Sequence, residues 1–238
     1  MNNSTYFPAA VRSVTDELTI LSEHAQLDDI DIIELGCGAA RLAQGLLAAH
    51  PRSRYTGLEV DQQQHAKNVS APMGPMRFLL AGAQAIPLPD ASFDLALMLK
   101  SLHHVPLPLM DQALAEVARV VRPGGLLYVS EPVFHGGLNE VIRLYNDEGV
   151  VREAALAAVH RAGQGPLWQA EGELFFEMPV RFRDFAEFEQ RMINVTFAER
   201  HLSEALREAV RARFEPHMGA DGAHFTRPMR VNLLRRQT

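Results

Sequence analysis

One stretch of the chain limits what it can fold into. Residues Asp31 to Leu47 read Asp-Ile-Ile-Glu-Leu-Gly-Cys-Gly-Ala-Ala-Arg-Leu-Ala-Gln-Gly-Leu-Leu. Asp31 to Leu35 is an apolar run broken only by Glu34, with β-branched Ile32 and Ile33, the pattern of a strand buried on both faces of a parallel sheet. Gly36-Cys37-Gly38 forces a tight turn, since glycine accepts φ > 0 and leaves no Cβ between the backbone and whatever lies above it. From Ala39 the residues are good helix formers, with Leu42, Leu46 and Leu47 on one face. Strand, glycine turn and helix in that order aim free amide N–H groups at a ligand.

Glu34 narrows the ligand. A pyrophosphate-binding turn uses backbone amides and a third glycine, whereas here a carboxylate precedes the turn and Arg41 holds the third-glycine position. A carboxylate repels a pyrophosphate and attracts an ammonium or ribose hydroxyls. Arg54 to Val60 reads as the second strand and carries Glu59 at its end. An acid some 20 or more residues beyond the glycine turn is what a ribose-binding βαβ unit predicts, and its oxygens can accept from both ribose hydroxyls. The alternative is a solvated acid at a strand end.

Glu-Leu-Gly-Cys-Gly resembles the first motif of the class I S-adenosylmethionine (AdoMet)-dependent methyltransferases. Three further stretches fit the same superfamily in order: Ser-Phe-Asp-Leu from Ser92, Leu-His-His-Val from Leu102 and Arg-Pro-Gly-Gly from Arg122. The resemblance covers Asp31 to about Glu131 and is to a small-molecule type of core. It implies a Rossmann-like α/β fold, a seven-stranded mixed sheet with helices on both faces. It also implies AdoMet as cofactor, contacted by Glu34, Gly36, Cys37, Gly38, Glu59, Val60, Gly82, Ala83, Gln84 and Lys100. Two positions depart from the family pattern. Ala40 stands where a further glycine is common, and Gly82 where an aspartate commonly bonds the adenine amino group; the Ala83 backbone and the Gln84 amide remain to read adenine.

Candidate chemistry lies beyond the carboxyl ends of the strands, where open α/β sheets hold ligands. Met76 to Leu80, Ser92 to Leu99 and Leu126 to Ser130 read as the third, fourth and fifth strands, with a helix over Leu109 to Val121. His103 and His104 follow the fourth strand, and Glu131 and His135 the fifth. A histidine can take a proton from a hydroxyl or amine nucleophile, and Glu131 can act as acid, base or orienting group. The alternatives are a pair that only starts the next helix and an acid that only caps one. No metal is expected, because a site needs three or four converging ligands. No Asn/Asp-Pro-Pro-aromatic turn follows the fourth strand, and the one cysteine, Cys37, sits in the cofactor turn. Amino-directed nucleic-acid methylation and cysteine-nucleophile chemistry therefore find no support.

Residues 1–8 are polar, and Pro8 to His24 reads as an amphipathic helix, with Val11, Val14, Leu18 and Leu21 at helical spacing. Either it covers a sheet edge or it lies over the cleft, with Tyr6 or Arg12 against ligand. From Gly136 the chain leaves the minimal core. Leu138 to Ala162 reads as one kinked or two consecutive helices, a cap inserted after the fifth strand, and Tyr145, Asn146, His135 and Trp168 are candidates for shaping the substrate pocket. Glu173 to Pro179 reads as a sixth strand, then two helices (Phe182 to Val195, Leu202 to Glu215) and a last strand, Phe225 to Arg235. Arg181, Arg183, Arg191, Arg227 and Arg230 make this part locally basic, either as solvated ion pairs or against an anionic substrate group. The expected organisation is one methyltransferase domain over 1–238: cofactor core 1–135, helical cap 136–170, and 171–238 completing the sheet.

The chain has 238 residues, 22% of them charged, with a formal net charge of −6. That balance disfavours a general nucleic-acid binder, and a single cysteine fits a reducing cytoplasm. No apolar run is long enough to span a membrane. The expected function is methyl transfer from AdoMet to an N, O, S or C acceptor on a small molecule. The alternatives are an AdoMet-binding sensor or partner subunit without turnover, an RNA-modifying methyltransferase, or a nicotinamide-dependent oxidoreductase, which Glu34 and Arg41 disfavour. Oligomeric state is not set by these features.

Overall fold

A computed structural model describes residues 6–70, 74–195 and 200–238. The strand–turn–helix unit forms as its sequence demands: β2 is Asp31–Leu35 and α2 is Arg41–Ala49, after a short β1 (Arg12–Ser13) and α1 (Glu17–His24). Then come β3 (Arg54–Glu59), α3 (Gln62–Ser70), β4 (Met76–Leu80), β5 (Phe93–Leu99), α4 (Met110–Val120) and β6 (Val121–Pro132). The remainder is α5 (Gly137–Ile142), α6 (Gly149–Gln164), β7 (Trp168–Phe182), α7 (Phe185–Phe188), α8 (Glu204–Phe214), β8 (Met218–Gly219) and β9 (Gly222–Arg236).

Seven strands make the body of one sheet in the order β4-β3-β2-β5-β6-β9-β7. β1 adds two residues beyond β7 and β8 adds two on β9, so the described sheet has nine strands rather than the seven expected. β2 to β6 run parallel, and β9 is antiparallel to both β6 and β7. The chain leaves β2 for β3 and β4, then returns to β5 on the other side of β2. This reversal opens a crevice at the carboxyl ends of β2 and β5, the place where such sheets hold ligands.

Alternation along the buried strands sorts the core. Ile33, Leu35, Ala96, Met98, Leu127 and Val129 pack with α4 and α6, while Ile32, Leu95, Leu97, Tyr128 and Val231 pack with α1 and α2. Two of the stretches that carry the family resemblance are structural clamps at the amino ends of the strands. Asp94 accepts the Asp31 N–H at 2.9 Å and pairs with Arg122 at 2.6 Å, and Arg122 also reaches Asp31 at 3.0 Å. A third cluster, Phe182, Phe185, Phe188, Phe214 and Phe225 with Leu138 and Val141, joins α5 to α7 and α8. It stands where the β7–β9 ribbon continues past the end of β6, from Glu177 opposite Pro228 to Phe182 opposite Ala223.

Several expectations need correction. The leading helix spans only Glu17–His24, because Asp16 caps it through the Leu18 N–H at 2.9 Å. Residues ahead of the cap are drawn onto the sheet edge instead, Val14 N–H donating to the Glu177 carbonyl at 2.8 Å. Of the first eight residues, only 6–8 lie within the described ones. Trp168 is not in a pocket loop. It opens β7, is 1% exposed, and donates its indole N–H to the Leu114 carbonyl at 3.0 Å. Pro228 lies on the inner strand β9, just past the end of β6: its carbonyl takes the Val133 N–H at 2.9 Å, and the Val133 carbonyl, which its missing N–H cannot reach, takes Arg152 at 3.4 Å. The two-helix alternative holds for the segment after β6. Among the described residues no helix is long and apolar enough to cross a membrane.

Trp168→Ala leaves a cavity and an unpaired Leu114 carbonyl in the core, so it should lower unfolding stability by about 3–5 kcal/mol. The midpoint of urea denaturation measures this, and an unchanged midpoint would contradict the core placement.

Candidate active site

The crevice floor is built by two turns and one acid. Gly36 has φ +72°, and a Cβ there would stand 2.7 Å from Ser101 Cβ, so only glycine lets β2 and the end of β5 approach this closely. The Gly36 and Cys37 N–H groups donate to the Leu58 carbonyl at 2.8 and 2.9 Å. Gly38, at φ +51°, has nothing within 4 Å of where a Cβ would be, so no side chain covers the turn there. The Gly38 N–H donates to Glu59 Oε2 at 2.7 Å, and the Val60 and Asp61 N–H groups donate to Glu59 Oε1 at 2.8 and 2.9 Å. One carboxylate thus ties the turn after β2 to the turn after β3 and keeps an acceptor site on Oε2. Asn68 of α3 completes the turn by donating to the Gly38 carbonyl at 2.7 Å. Sequence reasoning missed it, because an asparagine in a polar helix carries no periodic signal. Val60 is 65% exposed beside Glu59, where an apolar face can meet a flat ring.

Beneath this floor Glu34 is buried and accepts the Tyr55 hydroxyl at 2.6 Å. Burial pushes its carboxyl up to about 7, against the opposing pull of the Tyr55 hydrogen bond and Lys100. Burial, reinforced by Glu34 and Glu59, likewise raises the Cys37 thiol far above its ordinary value, so Cys37 is inert here. Lys100, at φ +59°, gives its Nζ to Glu17 Oε2 at 2.9 Å, and Glu17 also takes the Tyr128 hydroxyl at 3.5 Å. Lys100 therefore fastens α1 against the crevice. Arg12 pairs with Glu23 at 2.9 Å.

At the far end of the floor, the place of the missing Gly82 side chain is filled. A Cβ on Gly82 would stand 2.6 Å from Gln84 Oε1 and 2.7 Å from its Nε2. Gln84 puts a donor and an acceptor where the family's aspartate would put a carboxylate, above the buried Ala83.

The 3₁₀ turn Leu102–His104 and the end of β6 bring His103 and Glu131 together. His103 Nδ1 contacts Glu131 Oε2, while Glu131 Oε1 accepts the Leu102 and His103 N–H groups at 2.8 and 3.3 Å. The ring is 4% exposed with Nε2 turned toward Glu148, 3.9 Å from its Oε2. His104 lies against His103, ring centroids 4.0 Å apart, and burial with the His103 charge lowers its pKa. His103, His104 and Glu148 offer ligand atoms within 4.8 Å of one another, a convergence not expected from sequence. Glu148 is already committed, however. Its Oε2 takes Arg152 Nη2 at 2.5 Å and Nε at 3.1 Å, and its Oε1 takes Asn146 at 2.7 Å. Burial raises the Glu148 carboxyl, but Arg152 and His103 hold it below its ordinary value. A fixed guanidinium in this position repels a dication, so the arrangement suits proton handling better than metal binding.

The other sequence candidates stand around the rim. Tyr6 is exposed and meets Phe175 edge-on at 5.8 Å, and His135 stacks on Phe7 at 6.4 Å. Tyr145 is half-buried in the aromatic cluster, its hydroxyl on the Met192 carbonyl at 3.3 Å. Trp168 is outside the crevice altogether. A separate concavity of about 460 Å³ beside His24, Asp94, Arg122 and Gly124 opens at the amino ends of the strands, away from every group above.

Residues 33–129 match the family profile of a methyltransferase domain. Over this segment, about two fifths of its length, the chain is similar to the AdoMet-dependent methyltransferases. Its curated relatives include an O-methyltransferase of Aspergillus nomiae, 33% identical over 145 residues, which are 57% of this chain and 56% of that protein. A fatty-acid O-methyltransferase of Mycolicibacterium smegmatis is 33% identical over 106 residues, 42% of this chain and 36% of that protein. The chain therefore spans about half or less of these relatives' lengths. A putative methyltransferase from Bacillus halodurans shares the fold at TM-score 0.63 and 15% identity, covering 93% of this chain and 99% of its own. At this crevice the uncovered turn at Gly38 and the spare Glu59 acceptor fit AdoMet, which presents ribose hydroxyls and no phosphate.

Glu34 gives a pH test. Its folded pKa lies above the ordinary 4.5, so the native state binds a proton that the unfolded chain releases. Stability contributed by this group is therefore present below about pH 4.5 and lost as pH rises to about 7. In cofactor-free protein, Glu34→Gln should flatten that fall and be more stable than the parent at pH 8 by about 3 kcal/mol. Urea midpoints of both proteins between pH 5 and 8 check it; parallel profiles would contradict the buried acid.

Proposed function

We propose that this chain transfers the methyl group of AdoMet to a hydroxyl oxygen of a small molecule, with His103 as general base. The observation that carries the reading is the His103–Glu131 contact at the carboxyl ends of β5 and β6, beside the glycine turn. When bound, the cofactor supplies a methyl carbon already activated by its sulfonium, so the protein chiefly aligns and deprotonates the acceptor. Glu131, pinned by two backbone N–H groups, fixes the imidazole with Nδ1 protonated, which leaves Nε2 to take the acceptor proton.

The remaining residues hold and orient. Glu59 Oε2 accepts a ribose hydroxyl, Val60 lies against adenine, and the Gln84 amide meets the adenine edge in place of the absent acid. Glu34, poised near neutrality, ionises opposite the cofactor ammonium. Both relatives described above bear O-methyltransferase names, which supports oxygen as acceptor, and the net charge of −6 supports a small molecule over RNA. The chain reads as one domain over 1–238, and its single, buried cysteine fits a reducing cytoplasm.

Incubation with AdoMet and a panel of hydroxylated small molecules tests the reading. For any acceptor found, His103→Gln and Glu131→Gln should each lower kcat by about 10²–10⁴-fold while leaving S-adenosylhomocysteine affinity within about twofold. Undiminished turnover in both variants would remove the dyad from the chemistry.

A further inference from the structure

Glu148 stands at the start of α6, outside the stretch that matches the family profile, yet it faces the candidate base. Its Oε2 lies 3.9 Å from His103 Nε2. That separation is too long for a hydrogen bond, so Nε2 stays free to accept a proton, but it is short for two groups that carry charge. The imidazole thus has a carboxylate at each nitrogen, Glu131 against Nδ1 and Glu148 toward Nε2. The side chains of His103, Glu131, Glu148 and Arg152 are 4, 16, 14 and 10% exposed, so salt and water screen their interactions little.

The Glu148 carboxylate is fixed from two sides. Arg152, four residues on along α6, forks onto Oε2 through Nη2 at 2.5 Å and Nε at 3.1 Å, and Asn146 donates to Oε1 at 2.7 Å. Arg152 Nη1 in turn donates to Asn139 Oδ1 at 3.2 Å and to the Val133 carbonyl, two residues beyond Glu131, at 3.4 Å. The same framework therefore sets both carboxylates relative to the ring. Arg152 offsets part of the charge of Glu148 while holding it ionised and in place. Two other titratable or charged groups act here. His104, its ring centroid 4.0 Å from that of His103, is kept uncharged by burial and by the His103 charge, and Arg227 of β9 acts on Glu148 and Arg152.

We propose that Glu148 is a positioning residue for proton transfer, the outer of two carboxylates that hold the imidazolium formed when His103 Nε2 takes the acceptor proton. As the acceptor O–H bond breaks, its oxygen takes the methyl carbon, the C–S electron pair stays on sulfur, and the proton passes to Nε2. The ring then carries a positive charge. A fixed carboxylate 3.9 Å away stabilises that charged ring more than the neutral ring that preceded it, so its effect falls on the transition state. Glu131 orients the ring; Glu148 adds stabilisation that exists only as the proton moves. This rests on the methyltransferase reading above.

The test is a proton NMR titration of the His103 Cε1–H resonance in protein loaded with S-adenosylhomocysteine, the signal being assigned by its loss in His103→Gln. In Glu148→Gln the midpoint should move to lower pH by at least about 0.7 unit, the effect of removing one charge about 4 Å away even at the dielectric of water. Glu148→Asp, which keeps the charge, should fall between Glu148→Gln and the parent. His50, paired with Asp28 at 3.0 Å, should titrate alike in all three proteins. Coincident His103 midpoints in parent and Glu148→Gln, or a shift to higher pH, would overturn the proposal and leave Glu148 a structural anchor for Arg152. An aspartate variant no closer to the parent than the glutamine one would also overturn it. S-adenosylhomocysteine separates the two readings. If it raises the Tm of parent and variant while their midpoints coincide, only the role of Glu148 fails; if it raises neither, the methyltransferase reading fails first.

Discussion

The Glu59 carboxylate is the constraint on which the crevice depends. Three backbone N–H groups from two different loops converge on its two oxygens, Gly38 on one and Val60 and Asp61 on the other. Hydrogen bonds to an ionised acceptor are stronger than neutral ones, and these three fix the loops before any ligand arrives. The crevice is therefore a preformed floor, with the turn at Gly38 uncovered by any side chain and one acceptor position left over on Glu59. Asn68 and Ser101 reinforce it from either side, the first through the Gly38 carbonyl and the second through the Leu35 carbonyl at 2.6 Å.

Charge organises the chamber above that floor. Glu34 lies under the turn and Glu17 pairs with Lys100, while Glu148 pairs with Arg152 beside His103. The same layout explains why three convergent ligand-type groups do not read as a metal centre. Glu148 already balances Arg152 and so has no free carboxylate to offer a metal cation. His103 sits between two carboxylates, Glu131 at Nδ1 and Glu148 toward Nε2.

The core was legible where local pattern and tertiary need coincide. The five parallel strands, the glycine turn and Glu59 follow from β-branched runs, glycine chemistry and spacing, and the structure places them within a residue or two of expectation, apart from a longer β6. The chain ends were less legible. Pro8 to His24 has helical spacing, yet Asp16 caps the helix late and β7 recruits the preceding residues as a strand, a partner that no local window contains. Trp168 resembled a pocket aromatic because it follows Gly165-Pro166, but the strand begins at that residue and turns the ring into the core. Of the site, the glycine turn and Glu59 were readable, and the structure joins them through the Gly38 N–H. Asn68 and Glu148 were not, since each acquires its role from a partner remote in sequence, the Gly38 carbonyl and His103. Gln84 was readable as a candidate, but its place over Gly82 needed coordinates.

The most direct test of this account is calorimetric titration of S-adenosylhomocysteine and of NAD into the parent protein and Glu59→Gln. The account predicts binding of S-adenosylhomocysteine and not of NAD by the parent. In the variant an amide NH₂ faces backbone donors and the ribose acceptor is lost, so affinity should fall by about 10- to 100-fold with an unchanged far-ultraviolet circular dichroism spectrum. Equal binding by both proteins, or a preference for NAD, would contradict it.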